Sequence, residues 1–143
     1  MPDVQPGAML HTLSRSFVFE AAHTLQRPLH GDSSQRIHGH TYRASVHLQG
    51  QLASDSSMLL DLAVLDRHMQ NLRQQLDHQF LDEVAGLGPA TLENLCTYIW
   101  RQLQTNLPAL VKVSVERGMT GDACSLTCSN TPNQTAVTAT INP

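Results

Sequence analysis

Apolar and polar residues alternate along two early stretches of the chain, residues 12–23 and 38–50. A period of two predicts β-strands with one buried face each. Residues 24–37 lie between them and hold a proline, a glycine and a Ser-Ser pair, so they are predicted to form a loop. The shared faces are Phe17, Phe19, Ala21 and His23 in the first strand, and His38, His40, Tyr42, Ala44, Val46 and Leu48 in the second.

In two later stretches the apolar residues recur every three or four positions, which is the spacing of a helix. Asp61 and Thr91 are each predicted to cap a helix N-terminus, because their side-chain oxygens can accept from first-turn N–H groups. Residues 77–90, with two glycines and a proline, are predicted to be the loop between the helices, and Pro108 marks the end of the second. Each helix carries one apolar stripe. The stripes are Leu62, Leu65, Met69, Leu72 and Leu76, then Leu92, Leu95, Ile99 and Leu103.

Alternation returns in residues 109–117 and 122–128, which predict a third and a fourth strand. The order ββααββ predicts an α+β fold, an antiparallel four-stranded sheet with two helices on one face. Residues 1–11 are predicted to be a loose arm. The uncharged tail, 129–143, is either a frayed end or a short added strand. We expect one domain over residues 1–143.

Composition narrows the function classes. The net charge of −3 gives no basic footprint for nucleic acid. No apolar run is long enough to span a bilayer, and the first ten residues lack a signal-peptide pattern, so we expect a cytoplasmic protein without a membrane partner. Three cysteines do not make a disulfide framework.

Three histidines carry the first chemical signal. His38 and His40 are two residues apart on a predicted strand, so their rings point the same way. His23 ends the preceding strand on its apolar face, and pairing of the two strands would bring it beside the others. Three imidazoles with an open fourth position are the ligand set of a catalytic zinc site. The alternative for a strand pair such as His38 and His40 is a hydrogen-bonded surface or core pair.

Five motifs stand in one collinear order over residues 12–128. They are FVFEAAH at 17–23, IHGHTYR at 37–43, LLDLAVL at 59–65, LDHQFLD at 76–82 and PATLENLCTYIW at 89–100. Together they resemble the 6-pyruvoyltetrahydropterin synthase family, which includes the 6-carboxytetrahydropterin synthases of queuosine biosynthesis.

The resemblance implies the tunnelling fold, or T-fold, in which subunits join their sheets into a barrel. It therefore implies a homo-oligomer, a trimer or a hexamer of stacked trimers, with active sites at subunit interfaces. It also implies a zinc ion held by the three histidines that match His23, His38 and His40. The implied substrate is a reduced pterin.

The resemblance also assigns catalytic roles. It implies that His78 transfers protons and that Asp77 orients and charges a histidine. The family places a cysteine four residues before the first histidine of His-Gly-His, and Ser34 stands there. A serine hydroxyl is not deprotonated at neutral pH without help. Ser34 is therefore either an assisted catalytic residue or a loop residue with no role.

Substrate contacts are implied in two places. The family has a glutamate in a Val-x-Val-x-Glu pattern of the third strand, where it anchors the pterin. Strict alternation puts Arg117 at that position and Glu116 on the opposite face, unless a bulge restores Glu116. Thr91 is mainly a helix cap, although family members have substrate contacts near this helix start. These three residues are the substrate-binding candidates.

The leading hypothesis is a zinc-dependent carbon–oxygen lyase acting on a reduced pterin such as 7,8-dihydroneopterin triphosphate. A retro-aldol or epimerase variant is an alternative within the enzyme class. A non-catalytic zinc-containing T-fold protein that binds a pterin or purine is the alternative outside it. The absent cysteine favours that alternative, whereas the pair Asp77 and His78 opposes it.

Overall fold

The structure is a computed structural model that describes residues 7–29 and 31–128. Its four strands form one antiparallel sheet, as the sequence predicted, and their order in the sheet is β1-β2-β3-β4. The elements are β1 (His11–His23), α1 (Gly31–Gln35), β2 (His38–Gly50), α2 (Leu62–Leu76), a 3-10 turn (Leu81–Glu83), α3 (Leu92–Leu103), β3 (Leu110–Arg117) and β4 (Asp122–Thr127).

One face of the sheet is buried and the other is largely exposed. On the buried face Phe19 stacks on Tyr42 with ring centroids 4.9 Å apart, and Ala44 and Val46 are fully buried beside them. Strands β1 and β2 pair without a register shift from one end to the other. This continuous register sets His23 directly opposite His38 at the end of the sheet.

Helices α2 and α3 cover the buried face. Their apolar stripes enter the core through fully buried side chains such as Leu65, Leu95 and Ile99, each of which stabilises the fold by about 1.5–3 kcal/mol. Both predicted caps form, since Asp61 accepts from the Ala63 N–H at 2.8 Å and Thr91 from the Asn94 N–H at 3.1 Å. In the described ranges no helix is long and apolar enough to cross a membrane.

The structure corrects several predicted boundaries. Strand β1 starts at His11, inside the predicted loose arm, because that residue pairs with the end of β2. The predicted loop 24–37 contains the short helix α1, whose five residues are too few for a helical apolar pattern. The predicted loop 77–90 contains the 3-10 turn. The predictions for residues 1–6 and for the tail 129–143 lie outside the described residues.

Candidate metal centre and its neighbouring clefts

The three predicted histidines meet at the end of the β1–β2 pair. The Nε2 atom of His23 lies 3.0 Å from Nε2 of His38 and 3.1 Å from Nε2 of His40. Among the described residues these three form a group whose ligand atoms all lie within 4.8 Å of one another. The strand register produces this convergence, because it sets His23 beside His38 and Ala21 beside His40.

Backbone carbonyl groups orient two of these rings. Nδ1 of His23 lies 3.0 Å from the carbonyl oxygen of Ala90, and Nδ1 of His38 lies 2.8 Å from that of Arg36. A carbonyl oxygen only accepts, so each Nδ1 carries a proton, and in the neutral ring Nε2 then presents its lone pair. Fixing the second nitrogen in this way is how proteins orient metal-ligating histidines.

The protonation of the rings also suits a metal. Burial lowers the pKa of His23 below its ordinary value of 6.5. Burial, together with the guanidinium of Arg117, lowers the pKa of His40 to about 4. Both imidazoles are therefore neutral at pH 7, which is the form that binds a cation. A set of three imidazole nitrogens with an open fourth position fits zinc.

Arg117 lies beside the histidines, whereas Glu116 does not. The NH1 atom of Arg117 is 3.4 Å from Nε2 of His40, and its NH2 atom is 3.0 Å from a carboxylate oxygen of Asp122. Glu116 is on the exposed face, with Oε1 3.6 Å from Nε of Arg43. The register shift in this strand pair falls far from Glu116, at its other end. The alternation predicted from sequence therefore holds, and no bulge turns Glu116 towards the histidines.

Asp77 and His78 form a connected pair at the C-terminal end of α2. One Asp77 oxygen accepts from the Glu20 backbone N–H at 2.9 Å, and the other lies 3.0 Å from Nδ1 of His78 and 3.1 Å from NH2 of Arg73. The Glu20 N–H lowers the pKa of Asp77 most, with His78 and Arg73 adding to it. Asp77 is therefore a fixed carboxylate that holds the His78 ring.

His78 also has an unusual backbone. Its φ is 56°, the left-handed region that side chains disfavour, and its N–H donates to the Glu20 carbonyl oxygen at 2.6 Å. The side chain is 76% exposed. Strained conformations that persist in a rigid setting cluster at functional sites.

A cleft of about 670 Å³ brings the two groups together. It is lined by His40, His78, Arg117 and Glu20, among others. His40 of the metal centre and His78 of the Asp77–His78 pair therefore border one solvent-accessible space, although they come from distant parts of the sequence. A second cavity of about 470 Å³ shares Arg117 with the first cleft. It is also lined by His23 and by the helix cap Thr91.

Ser34 occupies a different position. It is buried in α1, and its backbone oxygen accepts from the Leu25 N–H at 2.7 Å. Neither cavity beside the histidines is lined by Ser34. Sequence reasoning missed the backbone carbonyl of Ala90, for which side-chain patterns give no signal.

A four-stranded antiparallel sheet with a three-histidine centre at one end defines this chain as an α+β protein with a candidate metal site. A family model described as 6-pyruvoyl tetrahydropterin synthase matches residues 12–137. The 6-carboxy-5,6,7,8-tetrahydropterin synthase of Synechocystis sp. is 34% identical over 107 residues, which cover 71% of this chain and 81% of that protein. Human 6-pyruvoyl tetrahydrobiopterin synthase is 33% identical over 119 residues, covering 72% and 82%.

A solved structure agrees with these sequence matches. The Caenorhabditis elegans 6-pyruvoyl tetrahydropterin synthase superposes with a TM-score of 0.72 at 27% identity, over 85% of this chain and 98% of that one. The chain belongs to the 6-pyruvoyl tetrahydropterin synthase family, as its motifs predicted.

Proposed function

We propose that this protein is a zinc-dependent carbon–oxygen lyase that acts on a reduced pterin such as 7,8-dihydroneopterin triphosphate. The observation that carries the proposal is the single cleft bordered by both His40 of the converging histidines and His78. Its relatives include pterin synthases of two kinds, 6-carboxy and 6-pyruvoyl. A substrate in this cleft would touch both groups at once.

The proposed roles follow from the contacts. His23, His38 and His40 would hold zinc, which when bound polarises substrate oxygens as a Lewis acid. His78 would donate and accept protons as the general acid and base, the role that histidine fills most often in enzymes. Asp77 would keep the Nδ1 proton of His78 in place through their 3.0 Å contact, leaving Nε2 for the substrate.

The test combines elemental analysis with a turnover assay. Protein purified without added metal should contain about one zinc per chain. It should consume 7,8-dihydroneopterin triphosphate, and His78→Ala should abolish most of that activity. His11→Ala is the matched control, because it removes an exposed imidazole at the far end of β1, outside this cleft. A zinc-loaded protein that consumes no dihydropterin would favour the non-catalytic binding protein instead.

Ser34 needs its own test, because it stands where the family has its cysteine. The burial of Ser34 outside both cavities favours a structural role in this conformation of the single chain. If Ser34 is idle, Ser34→Ala leaves turnover unchanged. If it is the assisted base, Ser34→Ala abolishes turnover. Ser34→Cys should raise turnover if the thiolate alone is missing, since a positioned base contributes on the order of a hundred- to ten-thousand-fold.

We also propose that the chain works as a homo-oligomeric barrel, a trimer or a hexamer of stacked trimers. Within residues 7–29 and 31–128, strands β1 and β4 form the two edges of the sheet. Open sheet edges invite pairing with another chain, and closure of a barrel between subunits removes them. Residues of a neighbouring subunit would then border the same clefts.

A further inference from the structure

Within the described part of the chain, three donors surround the carboxylate of Asp77, whose side chain is only 15% exposed. Its Oδ1 accepts from the Glu20 backbone N–H at 2.9 Å. Its Oδ2 lies 3.0 Å from Nδ1 of His78 and 3.1 Å from NH2 of Arg73. One oxygen therefore contacts both the imidazole to which we assign proton transfer and a guanidinium that has been given no function so far.

Arg73 is itself fixed by a second contact. It lies in the last turn of α2, and its Nε donates to the backbone carbonyl oxygen of Val18 in β1 at 3.0 Å. A guanidinium is planar and its donors form a rigid fork, so contacts on two of its nitrogens set its orientation. Arg73 therefore joins α2 to β1 and presents NH2 to Asp77 in a fixed direction.

Stability alone gives little reason for this arrangement. The Arg73 side chain is 51% exposed, and exposed ion pairs contribute little to the free energy of unfolding because water screens them. A cation in the last turn of a helix is favourable, but a lysine there provides the same charge. The arginine adds direction, which matters for a group that has to be aligned.

The alignment of Asp77 matters because little packing holds His78. The His78 side chain is 76% exposed, so the orientation of its ring depends on the contact between its Nδ1 and Oδ2 of Asp77. The Glu20 N–H fixes only Oδ1, and the carboxylate could still turn about that point. The contact from Arg73 to Oδ2 supplies the second point and so fixes the plane of the carboxylate.

We propose that Arg73 is a positioning residue for proton transfer by His78. It fixes the plane of the Asp77 carboxylate, so that Oδ2 keeps Nδ1 of His78 and the ring leaves Nε2 for the substrate. Among the described residues that line the cleft Arg73 is not included, so it acts through Asp77 and not on the substrate. The inference rests on the proposed function for the reaction, whereas the alignment of the three side chains can be tested without turnover.

The experiment compares three variants of the zinc-loaded protein with wild type. Arg73→Ala removes the guanidinium, and Arg73→Lys keeps the charge without the planar fork. Arg67→Ala is the matched control, because Arg67 is exposed on the same helix and outside the cleft. Turnover of 7,8-dihydroneopterin triphosphate gives kcat and KM, and urea unfolding gives stability. NMR of protein with isotope-labelled histidine detects the His78 ring N–H, which His78→Gln assigns.

Arg73→Ala should lower kcat on the order of tenfold to a hundredfold, the usual cost of removing a group that orients a functional side chain. KM should stay unchanged, because no contact to the substrate is lost. The His78 ring N–H should exchange with water and vanish from the spectrum of Arg73→Ala, whereas wild type and Arg67→Ala keep it.

Two further measurements separate alignment from stability. Guanidinium ions, at concentrations too low to unfold the protein, should restore part of kcat in Arg73→Ala, because the exposed side chain leaves a space that solvent can enter. Arg73→Lys should unfold at the same urea concentration as wild type and yet keep only part of kcat, since an ammonium group lacks the fork.

Either a wild-type kcat or a retained His78 ring N–H in Arg73→Ala would overturn the proposal. A wild-type protein without that ring signal would overturn it as well, because Nδ1 would then not be held. Loss of kcat that parallels loss of stability in both Arg73 variants, without recovery on guanidinium, would leave Arg73 a purely structural residue. The proposed function fails separately, through absence of zinc or of dihydropterin turnover, and the ring signal in Arg73→Ala would still decide whether Arg73 aligns the pair.

Discussion

The left-handed backbone of His78 predicts that glycine at this position gives a more stable protein than alanine, the reverse of the usual order. A left-handed conformation costs a residue with a side chain about 1–2 kcal/mol, whereas glycine adopts it freely. Glycine also gains about 0.5–1 kcal/mol of conformational freedom in the unfolded chain. The midpoints of these two ranges predict that His78→Gly is more stable than His78→Ala by about 0.75 kcal/mol. Both variants delete the imidazole, so the comparison isolates the backbone.

Gln79 gives the matched comparison. Apart from glycines, His78 is the one residue with a positive φ in the described ranges, so at Gln79 glycine has no advantage in the folded state. Gln79→Gly should therefore be less stable than Gln79→Ala, by about 0.5–1 kcal/mol. The assay is urea unfolding at fixed protein and zinc concentrations, because metal and subunits both stabilise a native state.

The two His78 variants can show whether the backbone strain exists in solution. If His78→Ala matches or exceeds His78→Gly in free energy of unfolding, the strain is not present in solution. If the expected order is found and both variants lose turnover equally, the strain and the proton transfer are separate properties. The chain would then keep an unfavourable conformation at His78 because its imidazole is needed there.

Three further predictions concern zinc binding, the free energy of unfolding at low pH and the number of subunits. His38→Ala combined with His40→Ala should leave zinc near zero by elemental analysis, and zinc retained in that variant would contradict the assignment. The pKa of Asp77 is lowered in the fold, so its stabilisation is complete above the ordinary value of 3.8 and is lost as the pH falls through the folded pKa. The free-energy gap between wild type and Asp77→Asn should therefore close on acidification, and a gap that stays constant down to acid pH would contradict the role of the Asp77 carboxylate. Light scattering should find a trimer or hexamer, and a stable monomer at micromolar concentration would exclude the barrel.

The sequence predicts much of this site because its signals are periodic. Alternation alone places His38, His40 and Arg117 on the buried face, and the strand pairing adds His23. The parts of the site that could not be predicted depend on groups that leave no periodic pattern in the sequence. The position of Ser34 in α1 could not be predicted, because a helix of five residues has no apolar repeat.

The same limit applies to contacts made by the backbone. The φ of His78 is imposed by a turn whose N–H donates to the carbonyl of Glu20, a residue far away in sequence. The hydrogen bond from Arg73 to the Val18 carbonyl was equally beyond prediction, because which backbone oxygen a long side chain reaches depends on every element packed around it. Such features follow from tertiary contacts rather than from local propensity.

The contact between His23 and Ala90 joins the metal centre to helix α3. Ala90 immediately precedes Thr91, the residue that caps α3, so the carbonyl that holds the His23 ring moves with the helix start. Binding equilibria that share such an element are coupled reciprocally. Zinc should therefore slow hydrogen exchange in the first turn of α3, and a ligand near Thr91 should slow the release of zinc. In this respect α3 would report on metal occupancy without touching the metal.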